Sequence, residues 1–290
     1  MTYSEFTDAL LSFVRVSLPE ECSAALHTVI KNNDTRLTGL TITETGRNIS
    51  PTIYLDHYYQ KYCEGTDLNL IVDEIIRTYK EYRPTEDFDM SFFTDYEKVK
   101  SRIVYKLVNR IRNKELLQDV PYVPYLDLAV VFCCLLKDNK SGSATVLIRQ
   151  KHMEHWNVTT EDLFAIAKEN SPRLLSYELE DMNTLMKKIC GEDALETGQM
   201  YVLSNRQRLF GASCILDEAL LEKIANDQHS GFYVLPSSIH EVILLPRKTP
   251  DTSEALTKMV QEINEAHLSS DEVLSDHVYY YDFNTKKLCV

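Results

Sequence analysis

Between Pro236 and Glu241 the chain reads Pro-Ser-Ser-Ile-His-Glu, which gathers two hydroxyls, an imidazole and a carboxylate into one short turn. Serine, histidine and a carboxylate are the parts of a hydrolytic triad, in which a base takes the nucleophile's proton and an acid orients the base. Triad members come from separated segments, however, and the sequence has no G-x-S-x-G elbow to present a serine on a strand-to-helix turn. A hairpin turn is the stronger reading: Ser237 and Ser238 satisfy backbone groups, and His240 packs at a strand edge. Asn205 and Arg206 follow the apolar run MYVLS and come close to this turn if the two strands pair. Asn205, Arg206, Ser237, Ser238 and His240 then form a polar rim, where a small anionic ligand would bind. The rival reading is a small hydrolase or transferase at the 236–241 turn. It requires a concave pocket and a hydrogen-bonded serine–histidine pair.

A second pattern is basic. Lys98, Arg102, Lys106, Arg110 and Lys114 recur at a constant step of four, with Lys100 and Arg112 among them and no acidic residue between Lys98 and Lys114. Thr94-x-x-Glu97 has the form of a capping box, so the spacing predicts a helix over 95–117. A step of four advances about 40° around a helix, which turns the charges into a slowly winding stripe. Val99, Ile103, Leu107 and Ile111 form a parallel stripe expected to be buried. Such a basic face suits an acidic protein partner. Charge runs at helical spacing are more often solvated faces, or pair with acids of the same chain.

His152, Glu154 and His155 suggest metal ligands, but the histidines stand at i, i+3 and no H-E-x-x-H is formed, so no metal is expected. With 8 glycines in 290 residues and neither G-x-G-x-x-G nor G-x-x-x-x-G-K-[ST], no phosphate loop or cofactor is expected. The net charge of −13 disfavours sequence-independent binding to nucleic acid or to an anionic membrane surface. The longest apolar run, 126–136, contains Asp127 and is too short for a membrane span.

The seven cysteines are odd in number, include no C-x-x-C and sit mostly in apolar runs, as buried thiols of a reducing compartment would. Cys133 and Cys134 fall in a strand-like run and should face opposite sides. Glu5 and Asp8 stand where a signal peptide would need a basic region, so the protein is expected to be cytoplasmic.

The elements that must position these groups read as α+β in two lobes. Residues 1–84 read as a helix over 4–17 with Phe6, Leu10, Phe13 and Val14 inward, then strands over 24–30, 37–43 and 49–55, then a helix capped by Thr66. This helix–three-strand meander–helix lobe is followed by a linker at 83–87. Residues 92–290 read as a mixed α+β lobe with short antiparallel sheets. In it, strands over 125–136 and 144–148 flank the loop DNKSGS, Thr159-x-x-Asp162 starts a helix that Pro172 closes, and residues 181–190 are helical. Residues 200–246 follow as strand, helix, strand, turn, strand, then a helix capped at Asp251-x-x-Glu254 and a final strand over 278–283. Regular βαβ alternation is absent, which argues against a doubly wound sheet.

The segments VPYLDLAVVF (123–132), SPR (171–173), LPSSIHEV (235–242) and EVLSD (272–276), in that order, resemble an uncharacterised family of clostridial, gut-associated Firmicutes proteins, known only as a domain of unknown function. The resemblance covers nearly the whole chain, implies an intracellular bacterial protein and carries no catalytic residues with it. The function expected from the sequence is that of a non-enzymatic intracellular binding or regulatory protein.

Overall fold

The computed structural model describes residues 1–48, 50–83, 91–136, 145–190, 199–236, 238–247 and 253–290, without the side chains of Ser91, Ile189 and Cys190. Its contacts divide the chain into two units, Met1–Lys31 with Thr35–Ser91, and Asn32–Asp34 with Phe92–Val290. The linker residues 84–87, the loop 138–143, Ser237 and the Asp251 cap lie outside the described residues.

In the first unit, α1 (Tyr3–Ser17) opens with a reciprocal capping box: Thr2 Oγ1 accepts from Glu5 N (3.3 Å), and Thr2 N donates to the Glu5 carboxylate (2.8 Å). Phe6, Leu10 and Val14 are fully buried, while Phe13, expected inward, is 47% exposed because it sits at the rim of that stripe. β1 (Cys22–Ile30), β2 (Arg36–Glu44) and β3 (Thr52–Tyr54) pair as an antiparallel meander. α2 (Asp56–Cys63), absent from the sequence reading, is followed by α3 (Leu68–Tyr82), whose cap is Asp67 rather than Thr66. Leu40, Ile42 and Leu55 complete a core with Ile71 and Ile75 of α3.

The helix expected over 95–117 does not form. After α4 (Ser91–Thr94), α5 (Tyr96–Val99) is a single turn capped by Asp95, and a 3-10 turn over Lys100–Arg102 leads into a strand, β4 (Ile103–Asn109). The physical reason lies in Ile-Val-Tyr-Lys-Leu-Val, a β-branched and aromatic run that fits a pleated surface. A step of four is also two strand repeats, so charge spacing alone does not separate the two structures. β4 is buried on both faces: Ile103, Tyr105 and Leu107 enter the largest core, whereas Val104 and Val108 join smaller clusters. The basic residues therefore share no helical stripe. Lys98 faces Asp95 at 3.6 Å, Arg102 lies over the Phe92 ring (5.1 Å) and Lys106 over the Phe210 ring (4.8 Å). Arg110 is exposed beyond the strand, and Ile111, expected buried, is 64% exposed.

The strand expected over 125–136 is a hairpin, β5 (Tyr122–Tyr125) and β6 (Leu128–Leu135), turning at Leu126 with φ 54°. β6 pairs along β4 and, past Phe132, with β7 (Thr145–Leu147). Cys134 enters the main core, and Cys133 faces Val104, Leu175 and Phe210 on the other side, as strand alternation requires. α6 (Gln150–Trp156) precedes α7 (Thr160–Leu174), which starts at the expected Thr159–Asp162 box and carries Pro172 inside its last turn.

β8 (Tyr177–Asp181) was not anticipated: its sequence YELED is too polar to read as a strand, and it is an edge strand. α8 (Met182–Cys190), β9 (Tyr201–Asn205), a 3-10 helix over Gly211–Leu216, α9 (Glu218–Gln228), β10 (Phe232–Leu235) and β11 (Val242–Pro246) come next. α10 (Ser253–His267), β12 (Tyr279–Asp282) and β13 (Lys287–Cys289) complete the unit. The larger sheet runs β13-β12-β10-β11-β9-β8, antiparallel throughout, so the α+β class with short antiparallel sheets holds. Among the described residues no helix is long and apolar enough to cross a membrane.

Candidate functional site

β9 ends at Asn205, and the loop 206–210 passes through two left-handed residues, Arg208 (φ 51°) and Phe210 (φ 56°), a conformation that L side chains disfavour. Asn205, 1% exposed, holds the loop in place. Its Oδ1 accepts from Gln207 N (3.2 Å) and Leu209 N (3.1 Å), and its Nδ2 donates to Leu209 O (2.7 Å). Little hydrogen-bonding capacity is left for a ligand. Arg206 is exposed, and its main-chain N–H donates to Ser176 O at 3.0 Å.

Pairing of Val242 with Leu203 brings the 236–241 turn beside the end of β9, as the sequence anticipated. Ser204 Oγ donates to His240 O at 2.7 Å, and Ser238 Oγ accepts from the main-chain N–H of His240 at 3.0 Å. The imidazole turns to the loop instead of to Ser238: its Nδ1 lies 3.1 Å from Arg208 O, and its ring stacks over Phe210 at 6.1 Å. Phe210 N also approaches Nδ1, at 3.4 Å, so a protonated Nδ1 donates to the Arg208 carbonyl and an unprotonated one accepts from Phe210 N. Asn205, Ser238 and His240 are thus gathered around one loop as structural groups. Lys106 reaches the same loop through the Phe210 ring, whereas Lys98, Arg102 and Arg110 lie elsewhere.

The charge at this turn belongs to Arg208, which sequence reasoning passed over. Its guanidinium meets Glu241 (3.0 Å), Glu178 (3.6 Å) and Glu180. Glu180 also accepts from Lys188 at 2.8 Å, and that hydrogen bond, with the Lys188 and Arg208 charges, holds its carboxyl below the usual range. Three carboxylates around one arginine make poor company for an anionic ligand.

A narrow cleft in the same unit, with a free volume of about 20 Å³, is lined by Tyr105 of β4, Ser171 and Pro172 of α7, Leu175, Tyr177, Asn205, Ser213, Cys214, Asp217 and Leu220. Most of its polar groups are committed internally. Ser171 Oγ accepts from Tyr105 N (3.1 Å), Ser213 Oγ donates to Phe210 O (2.7 Å), Cys214 Sγ donates to Ser204 O (3.3 Å), and Asp217 Oδ1 accepts from Leu220 N (3.0 Å). Tyr105 is 3% exposed, and its hydroxyl is not one of the buried side-chain atoms left without a partner. Burial, then the nearby Asp217 and Cys214, raises its ionisation well above that of free tyrosine. Burial, then Asp217, pushes the Cys214 thiol up to about 12, so it stays protonated at neutral pH and is a poor nucleophile. Sequence reasoning missed Tyr105 because it lay in the expected helix. Asp217 carried a usable signal, an N-cap residue before an apolar helical run.

His152 lies on α6, where its Nδ1 accepts from Arg149 N (3.1 Å) and its ring meets Phe93 edge-on at 5.0 Å. Burial, then the Arg149 charge, lowers its pKa, while His155 is exposed. Among the described residues no group of three or more His, Cys, Asp or Glu side chains is arranged to hold a metal ion.

Residues 3–283 match the family described as "Family of unknown function (DUF5688)", and the chain belongs to that family. No curated protein and no solved structure matches it.

Proposed function

We propose that this protein is a non-enzymatic binding protein of the cytoplasm and that the cleft beside Tyr105 is its ligand site. The observation that carries the reading is the cleft itself, a concavity walled by Tyr105, Leu175 and Tyr177 with the Asp217 carboxylate in its lining. The acidic, thiol-rich composition and the resemblance to clostridial, gut-associated Firmicutes proteins support an intracellular bacterial setting.

The rival, a hydrolase or transferase at the 236–241 turn, draws its remaining support from Ser237, which lies outside the described residues. Against it stands the geometry of Ser238, whose hydroxyl meets the main chain of His240 while the imidazole bonds Arg208 O. The test is methyl-resolved NMR of the full chain against a library of small polar molecules. Saturable shifts confined to the Leu175 and Leu220 methyls, weakened in Tyr105→Phe, are the expected result. Shifts at His240 with turnover of an ester or amide, lost in His240→Ala, would replace this reading by the enzymatic one.

A further inference from the structure

The edge strands of an antiparallel sheet present outward N–H and C=O groups that another chain can pair with. Among the described residues every such edge but one is short, interrupted, charged or plugged. β3, β7 and β13 are three residues each. β5 carries Pro124, and β8 carries Glu178, Glu180 and Asp181. β4 is plugged by α7: Ser171 Oγ accepts from Tyr105 N at 3.1 Å, and Asn170 Nδ2 donates to Ile103 O at 3.0 Å. The exception is β1, nine residues long, which reads CSAALHTVI and has no proline, lysine, arginine or carboxylate.

The register shows which groups of β1 are open. Leu55 N donates to Thr38 O at 3.0 Å, so Thr38 and Leu40 turn toward β3, and their neighbours Leu37, Gly39 and Thr41 turn toward β1. Opposite those three on β1 stand Val29, His27 and Ala25. Alternation then points the main-chain groups of Ala24, Leu26 and Thr28 away from the sheet. Arg15 agrees independently: from α1 its Nε and Nη2 donate to Ala24 O, at 3.0 and 2.9 Å. That oxygen keeps a second lone pair. Thr28 is exposed, and Leu26 lies half-buried at the margin of the first unit's core.

The charges at the two ends of the strand select its occupant. Glu21, exposed, precedes β1, and Lys31 follows it. A second β1 laid antiparallel with Leu26 against Leu26 sets Ala24 against Thr28 and Glu21 against Lys31, each twice by symmetry. The even-numbered residues then exchange N–H···O bonds. Glu21 and Lys31 fall at a non-hydrogen-bonded position, where side chains come closest. Lys31 Nζ rests over the Tyr54 ring at 4.3 Å, a contact it can exchange for the carboxylate. A shift of the register in either direction separates the two charges.

We infer that two copies of this chain associate edge to edge through β1, antiparallel about Leu26, joining their three-stranded meanders into one continuous sheet. The pairing draws on no residue of the cleft beside Tyr105, so it stands or falls apart from the ligand reading.

Sedimentation equilibrium of the full chain tests it, in about 0.15 M sodium chloride, where the repulsion between two acidic copies is screened beyond about 8 Å. A monomer–dimer equilibrium is expected. Glu21→Lys and Lys31→Glu should each raise the dissociation constant by roughly ten-fold, because each turns two attractions into repulsions. The double variant exchanges the charges and should return the constant to near its wild-type value, a rescue that a role within one copy would not produce. Thr28→Pro removes an N–H that points away from the sheet, at an edge position where proline is tolerated. It should abolish the dimer and leave the far-UV circular dichroism unchanged. A monomer at every concentration up to the millimolar range would overturn the pairing. So would a dimer that survives Thr28→Pro and both single reversals, or a double variant no tighter than the singles. If Thr28→Pro does not fold, the charge series alone decides.

Discussion

Ser204 donates its hydroxyl to the carbonyl oxygen of His240 at 2.7 Å, and Gly211 lies between the two strands of chain that this bond joins. A Cβ on Gly211 would stand 2.2 Å from Ser204 Oγ and 2.3 Å from His240 O. The glycine is required by close approach alone, and the polar turn is part of the scaffold that closes over it. Gly211→Ala should destabilise the second unit by about 1–3 kcal/mol, the cost of overpacking. Urea unfolding measures it. Adding Ser204→Ala relieves one contact but not the one with the His240 carbonyl, so the double variant should stay below wild type. A wild-type midpoint for Gly211→Ala would show that the backbone gives way freely here.

Thiol reactivity separates the cysteines by environment. Cys63 and Cys289 are exposed, against the expectation that the thiols are largely buried; the side chain of Cys190 lies outside the described residues. Burial pushes Cys133 up to about 11 and Cys134 and Cys214 up to about 12. In a Cys190→Ser background at pH 8, Ellman's reagent should label Cys63 and Cys289 in the fast phase. Cys133, Cys134 and Cys214 should react only on unfolding. Fast labelling of Cys214 would contradict its protonated, buried state.

The Arg208 cluster predicts an acid-side loss of stability. Glu180 has its carboxyl held low by Lys188 first and Arg208 after it. A depressed folded-state value means the contribution is complete above the unfolded glutamate pKa, near ~4.3, and disappears as pH falls through the folded value. Stability measured from pH 7 down to pH 3 should therefore fall more steeply in wild type than in Glu180→Gln. Parallel profiles would show that the pair adds nothing, as many exposed ion pairs do.

What the sequence disclosed followed from how many patterns agreed at each place. At 200–246 the apolar runs and the Pro236 turn indicate one arrangement, and β9, α9, β10 and β11 lie there. At 98–114 the charge spacing of four satisfied helix and strand alike, and the β-branched run 103–108 was outweighed by the charges around it. The approach of the 236–241 turn to the end of β9 was foreseeable from the strands on either side. The cleft was not, because Tyr105, Ser171 and Asp217 come from β4, α7 and the start of α9, and tertiary packing alone brings them together.

Asp127 and Ser275, from two segments that carried the family resemblance, meet in the structure on Tyr279. Ser275 Oγ donates to one carboxylate oxygen at 2.7 Å and the Tyr279 hydroxyl to the other at 2.5 Å. Tyr279 and Ser275 are fully buried, and burial, then Asp127, raises the tyrosine's ionisation far above its ordinary range. The contact ties the β5–β6 turn to β12, a long-range link made by polar groups in an apolar surround. Tyr279→Phe removes one charge-assisted bond and should cost about 1.5–3 kcal/mol. Asp127→Ala should cost more, because it leaves two buried hydroxyls without their acceptor. If the groups act as a unit, Tyr279→Phe in the Asp127→Ala background should cost markedly less than it does alone. A double-mutant cycle by urea unfolding reads this coupling directly. Additive losses would mean that Tyr279 is held by packing against its neighbours and that the hydrogen bond to Asp127 contributes nothing separable.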